Sequence, residues 1–121
     1  FLKTSTNLGR INVAVVVSAL NILDLHEHWQ WCCSLPKKVY ISYCEVYPVD
    51  RGISPIHLSR QLLENVPRID SKKFNQIRNS YFKRNVENKK KMLKEITLFD
   101  FSRNQQFQNY LHPYLTQWLE S

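Results

Sequence analysis

Only two glycines, Gly9 and Gly52, occur in the 121 residues. With so few, neither a glycine-rich phosphate cradle nor a nucleophile elbow can be assembled. A long hydrophobic run is also missing. The most apolar stretch, INVAVVVSALNILDL, is interrupted by Asn12, Ser18, Asn21 and Asp24, and it falls short of the ~20 apolar residues of a spanning helix. No Asn-x-Ser/Thr sequon is present, and no N-terminal stretch joins a charged start, an apolar middle and a small-residue cleavage site. Cysteine is scarce and odd in number. Cys32, Cys33 and Cys44 include an adjacent pair, which argues against a disulfide framework and for a reducing compartment, nuclear or cytoplasmic. No pair of carboxylates has acid–base spacing, and His57 lies beside Ser54 and Ser59 as one capping and surface group. Neither an enzyme nor a cofactor is expected.

What the sequence does contain is material for a core. Apolar residues make up 43%, including three Trp, six Tyr and six Phe. At this length about two-thirds of the chain's surface can be buried in one domain. A single domain over 1–121 is therefore expected, with residues 1–10 as an N-terminal arm. Because the chain opens on Phe1, it is expected to be excised from a larger protein.

The net charge of +7 is concentrated in one segment. Between Ser71 and Glu95 lie Lys72, Lys73, Arg78, Lys83, Arg84, Lys89, Lys90, Lys91 and Lys94, opposed only by Glu87 and Glu95. Acidic and basic residues balance over the rest of the chain. Such a local field attracts a polyanion: nucleic acid, an acidic protein surface or anionic lipid.

Periodicity divides the chain into elements. Residues 7–31 fit a helix by the spacing of Ile11, Ala14, Val15, Ala19, Ile22 and Trp29, although the β-branched run VAVVV fits a buried strand as well. The length and the absence of a breaker favour helix. KVYISYCEVY alternates and reads as a strand. Ser54 and Pro55 open a helix over 55–66, stopped by Pro67, and Asp70 or Ser71 caps the next, through Arg84. ITLFDF, at 96–101, alternates weakly as a short strand. From Ser102 an amphipathic helix follows Phe107, Tyr110, Leu111, Tyr114, Leu115, Trp118 and Leu119, with Pro113 kinking or splitting it.

On the helix from Ser71 to Arg84, Phe74, Ile77 and Tyr81 share the core side. Lys72, Asn75, Gln76, Asn79 and Lys83 fall opposite, flanked by Lys73, Arg78 and Arg84. Asn and Gln pair bidentately with adenine, Lys and Arg with guanine, and Lys also neutralises phosphate. Two helices joined by a turn at about PRID make a helix-turn-helix, whose second helix enters the major groove. In element order, with a strand at 96–101, the chain also resembles a winged helix.

The expectation is a mainly α domain with a small β-sheet, helix-turn-helix or winged-helix-like, with an α+β domain around a short central sheet as the alternative. The expected function is non-enzymatic nucleic-acid binding, to duplex DNA ahead of RNA. Lys72, Lys73, Asn75, Gln76 and Asn79 face the groove, while Arg78, Lys83, Arg84, Lys89, Lys90 and Lys91 hold phosphates. The alternative is a protein-interaction module of a nuclear assembly, docking an acidic or helical partner or using Tyr110, Tyr114 and Trp118, the residue types of binding hot spots. Asp24, His26, His28, Cys32, Cys33 and Cys44 lack the paired spacings of a zinc site. On a helix His26 and His28 point ~200° apart, and no metal is expected.

Overall fold

The computed structural model describes residues 11–121, so the expected arm at 1–10 lies outside the described residues. The chain is mainly α-helical with one small sheet. Strand β1 is Ile11–Val17, helix α1 Leu25–Cys33 and strand β2 Val39–Glu45. β1 and β2 pair in parallel, Ile11 opposite Val39 and Val17 opposite Glu45, so the first third of the chain is a βαβ unit.

This corrects the helix expected over residues 7–31 within 11–24, a strand and a turn, while residues 25–31 are helical and 7–10 lie outside the described residues. Valine and isoleucine are stiff at χ1 and fit a pleated surface better than a helix. The alternation is also that of a strand: Val15 and Val17 are buried, while Asn12, Ala14 and Val16 are exposed. The strand at 39–45 falls where alternation placed it, with Tyr43 buried on the same face as Val15.

Between the sheet and the basic segment the chain forms less helix than expected. Ser54 caps through Ile56 N–H, and Pro55 takes the first position, yet only a single 3₁₀ turn forms, Pro55–His57. Leu58 is extended, and Ser59 caps a second start, α2, Arg60–Glu64. The expected 55–66 helix is thus divided, because a second hydroxyl competes for the amides that would continue the first turn. Buried His57 pins the division: its ring nitrogens lie 3.3 and 3.1 Å from the Val86 and Asp50 carbonyl oxygens.

Helix α3, Lys72–Arg84, begins where Ser71 Oγ accepts from Phe74 N–H. Asn85 ends it and ties it back, its amide donating to the Ile56 and Leu58 carbonyls at 2.8 and 2.9 Å. Helix α4, Lys89–Arg103, starts from an Asn88 cap. It absorbs the strand expected at 96–101: Met92 and Ile96, four apart, are both fully buried, which is a helical repeat. Glu95 on the same helix receives Arg51 and, at 3.1 Å, the Ile53 N–H.

Asn104 closes α4 in the left-handed region (φ 52°) that asparagine tolerates. The helix expected from Ser102 is therefore shortened to α5, Pro113–Glu120, in which Pro113 sits in the first turn and His112 caps. Proline has no N–H to donate to the preceding turn inside a helix but costs nothing at its start.

The core joins the inner sheet face to α3, α4 and α5. Phe74 meets Tyr43 edge-on at 5.1 Å, and Leu58, Leu63, Tyr81, Met92, Ile96 and Leu115 are fully enclosed. Phe74→Ala is expected to cost ~3–5 kcal/mol in urea unfolding. The Tyr43 hydroxyl is buried with no partner among the described residues, and burial, with Cys32 and Cys33 adding, pushes its pKa up to about 12 from 10. The fold holds the neutral form, so this contribution is intact below pH 10 and lost as the pH rises through about 12. Tyr43→Phe is expected to flatten that part of the alkaline stability loss while leaving neutral-pH stability unchanged or higher, as urea midpoints measured from pH 8 upward will reveal.

Candidate nucleic-acid interface

The interface is built on α3 because its apolar stripe is one-sided. Phe74, Ile77 and Tyr81 are buried, which turns the opposite arc outwards. Lys72, Gln76, Asn79 and Lys83 succeed one another at intervals of four, three and four residues. At about 100° and 1.5 Å per residue they occupy ~60° of arc and ~16 Å of length. All four are exposed, as is Lys73 beside them. None of the five has a hydrogen bond or ion pair with a described residue.

The other candidates on this helix are already engaged. Asn75 grips the connector before its own helix: its amide donates to the Ile69 carbonyl at 2.7 Å and its Oδ1 accepts from Ile69 N–H at 3.2 Å. Both polar atoms that would read a base edge are thus spent on backbone. Arg78 donates through Nε to the Val66 carbonyl at 2.9 Å and lies over the Phe82 ring, 4.9 Å from its centre. Burial, with the nearby Arg68 charge, holds its pKa below the usual arginine value, although a guanidinium so perturbed stays protonated at neutral pH. Arg84 pairs with Glu45, donates to Ser80 Oγ at 2.9 Å and covers the Tyr81 ring.

Among the α4 lysines, Lys89 is tied to Ser121, 2.6 Å from its Oγ, and lies over Trp118. Lys90 and Lys91 are exposed in the first turn. The first turn holds no acidic residue, so their field adds to that of the helix end, with Glu87 before the Asn88 cap as the nearest opposing charge in the sequence.

Two cations escaped the sequence reading. Arg60 on α2 donates to the Phe82 carbonyl at 2.7 Å and lies over the same ring as Arg78, and Arg68 is exposed near Arg78. They extend the positive edge of α3. Only folding brings them there, and no local pattern in the sequence marked them.

The aromatic alternative does not form one continuous face. Tyr110 donates to Asp100, which also accepts the Phe107 N–H at 2.8 Å, and burial with that bond pushes the Tyr110 hydroxyl up to about 12. Its cleft, about 1090 Å3, lies between the last turns of α4 and the segment that follows. Tyr114 and Trp118 instead share a groove of about 460 Å3 with Ser59, Leu62 and Asn65 of the α2 region. The candidate ligand cluster is loose: Cys32 is buried 3.8 Å from His28 Nε2, Cys33 and Cys44 are exposed, and no three potential ligands converge among the described residues. No helix of the described residues is long and apolar enough to cross a membrane.

Comparison with protein-family models, curated proteins and solved structures returns no match for this chain.

The division of α3 into held and unheld side chains has a direct check. Asn75→Ala strands the Ile69 N–H and C=O and is expected to cost ~1–3 kcal/mol. Gln76→Ala, one residue on, should stay within ~0.5 kcal/mol of the parent in the same urea unfolding experiment.

Proposed function

We propose that this chain binds nucleic acid, duplex DNA ahead of RNA, through the outer face of α3. The observation that carries the reading is the unbroken helix that leaves Lys72, Lys73, Gln76, Asn79 and Lys83 exposed together without protein partners. Three lysines supply charge for phosphates. Gln76 and Asn79, one helical turn apart, supply amides able to donate and accept at one base edge. In this reading Asn75, Arg78 and Arg84 set the position of the helix, and Arg60, Arg68, Lys90 and Lys91 contribute the surrounding field.

A helix-turn-helix-like presentation accompanies the proposal, with α2 before α3 across residues 65–71. Its first helix is shorter and its connector longer than the compact motif uses. A winged-helix arrangement draws less support, because residues 96–101 are helical and the two strands pair in parallel. The reading is non-enzymatic and suits a nuclear or cytoplasmic setting in which Cys33 and Cys44 stay reduced.

The test is fluorescence anisotropy with a mixed-sequence duplex. Three phosphate contacts give a salt slope of about −2.7, a loss of ~40-fold in affinity between ~50 and ~200 mM salt. Lys72→Ala, Lys73→Ala and Lys83→Ala should each weaken binding to every sequence and flatten the slope by ~0.9. Gln76→Ala or Asn79→Ala should keep the slope and erode sequence preference by ~1–3 kcal/mol. No binding at the lower salt overturns the reading and leaves the charge to an acidic protein partner.

A further inference from the structure

Parallel sheets are built to be covered on both faces, and the described residues pack against only one face of this one. Its outer face carries Asn12, Ala14, Val16, Tyr40, Ser42 and Cys44, all exposed, with Val16 at 51% and Tyr40 at 41%. None of these six is charged, and Lys38 lies over the Tyr40 ring, 5.1 Å from its centre.

The edge of β1 is open as well. In an extended strand the N–H and C=O of one residue point to the same side, and successive residues alternate. Ile11 N–H donates to the Lys38 carbonyl and the Val17 carbonyl accepts from Val46 N–H, so odd-numbered residues turn towards β2. Asn12, Ala14 and Val16 therefore turn away. At one end Asn21 already acts as the next strand: its amide donates to the Val16 carbonyl at 2.8 Å, and its Oδ1 accepts from Ser18 N–H at 2.9 Å. The backbone groups of Asn12 and Ala14, and the Val16 N–H, have no such partner among the described residues.

Beside this edge runs a groove of about 380 Å3, lined by Val13, Val15, Asn21, Asp24, Leu25 and His28. His28 Nδ1 is buried there without a partner. Asp24 is half-buried with no ion pair among the described residues, and burial raises its pKa. Only His112 opposes its charge, and from beyond ion-pair distance, so the carboxylate leaves room for a cation from outside.

We propose that this groove receives an extended, otherwise uncharged strand of a partner polypeptide, carrying one lysine or arginine opposite Asp24 and adding to β1 as a third strand. A helix laid there would leave the outward N–H and C=O groups unmet, whereas a strand meets them at their own spacing. This surface is separate from α3 and does not rest on nucleic-acid binding.

The probe is an acetylated, amidated peptide of alternating valine and threonine with a single lysine, added to 15N-labelled protein. Saturable shifts and about tenfold slower exchange at the Ala14 and Val16 amides are expected. Ala14→Pro removes the central donor at an exposed edge position where proline is tolerated, and should weaken binding at least about tenfold. Asp24→Asn should weaken it about threefold, and a peptide with a central proline should not bind. Unchanged exchange at Ala14 and Val16 with ~1 mM peptide overturns the proposal, as does equal binding of the proline peptide. Protection that rises with protein concentration alone would place a second copy there and overturn the partner strand.

Discussion

Everything on the outer surface of α3 depends on the seam beneath it. Phe74, Ile77 and Tyr81 lie on one side of the helix and meet the inner sheet face, Phe74 edge-on to Tyr43. Burying that stripe fixes the rotation of the helix, and rotation decides which polar side chains face solvent. A turn of 100° would bury Lys73 and expose Ile77. The polar clamps at either end, Asn75 to Ile69 and Asn85 to Ile56 and Leu58, add little apolar burial but fix the helix lengthwise. Together the seam and the clamps hold the exposed stripe of Lys72, Gln76, Asn79 and Lys83 as a rigid row.

The cations divide into two kinds with different physics. Arg51, Arg78 and Arg84 are half-buried and hydrogen-bonded, and each lies over an aromatic ring. Their planar guanidinium groups suit such sites, where several donors and a flat face are used at once. The exposed charges on the outer arc of α3 are all lysines, compact and strongly hydrated, and they act as point charges towards an anion. A count of basic residues merges these two populations. The structure separates them and reduces the available charge on α3 from five cations to three.

The elements legible in the sequence were those defined by a cap and a one-sided stripe. Ser71 with Phe74, Ile77 and Tyr81 marked α3, and the alternation of Val39, Ile41 and Tyr43 marked β2. What was not legible depended on distant partners. Strand β1 reads as helix or strand until β2 lies beside it, since VAVVV satisfies both locally. Residues 96–101 alternate like a strand, but burial of Ile96 beside Met92 makes them helix. The C-terminal aromatic series fits one helical face, yet Pro113 starts a helix there instead of kinking one. At the site, exposure of Lys72, Gln76, Asn79 and Lys83 followed from helical periodicity alone. The diversion of Asn75 to Ile69 and of Arg84 to Glu45 did not, because those partners come from a connector and from a strand 39 residues away.

The central claim is that the unheld arc of α3 is where a polyanion lands. Its most direct test is to map amide and side-chain NMR shifts while titrating a short duplex into the labelled protein at low salt. The account expects the largest changes at Lys72, Lys73, Gln76, Asn79 and Lys83, with the Gln76 and Asn79 side-chain amides among them and Asn75 nearly still. Changes confined to α4 and α5, or none at all, would contradict it.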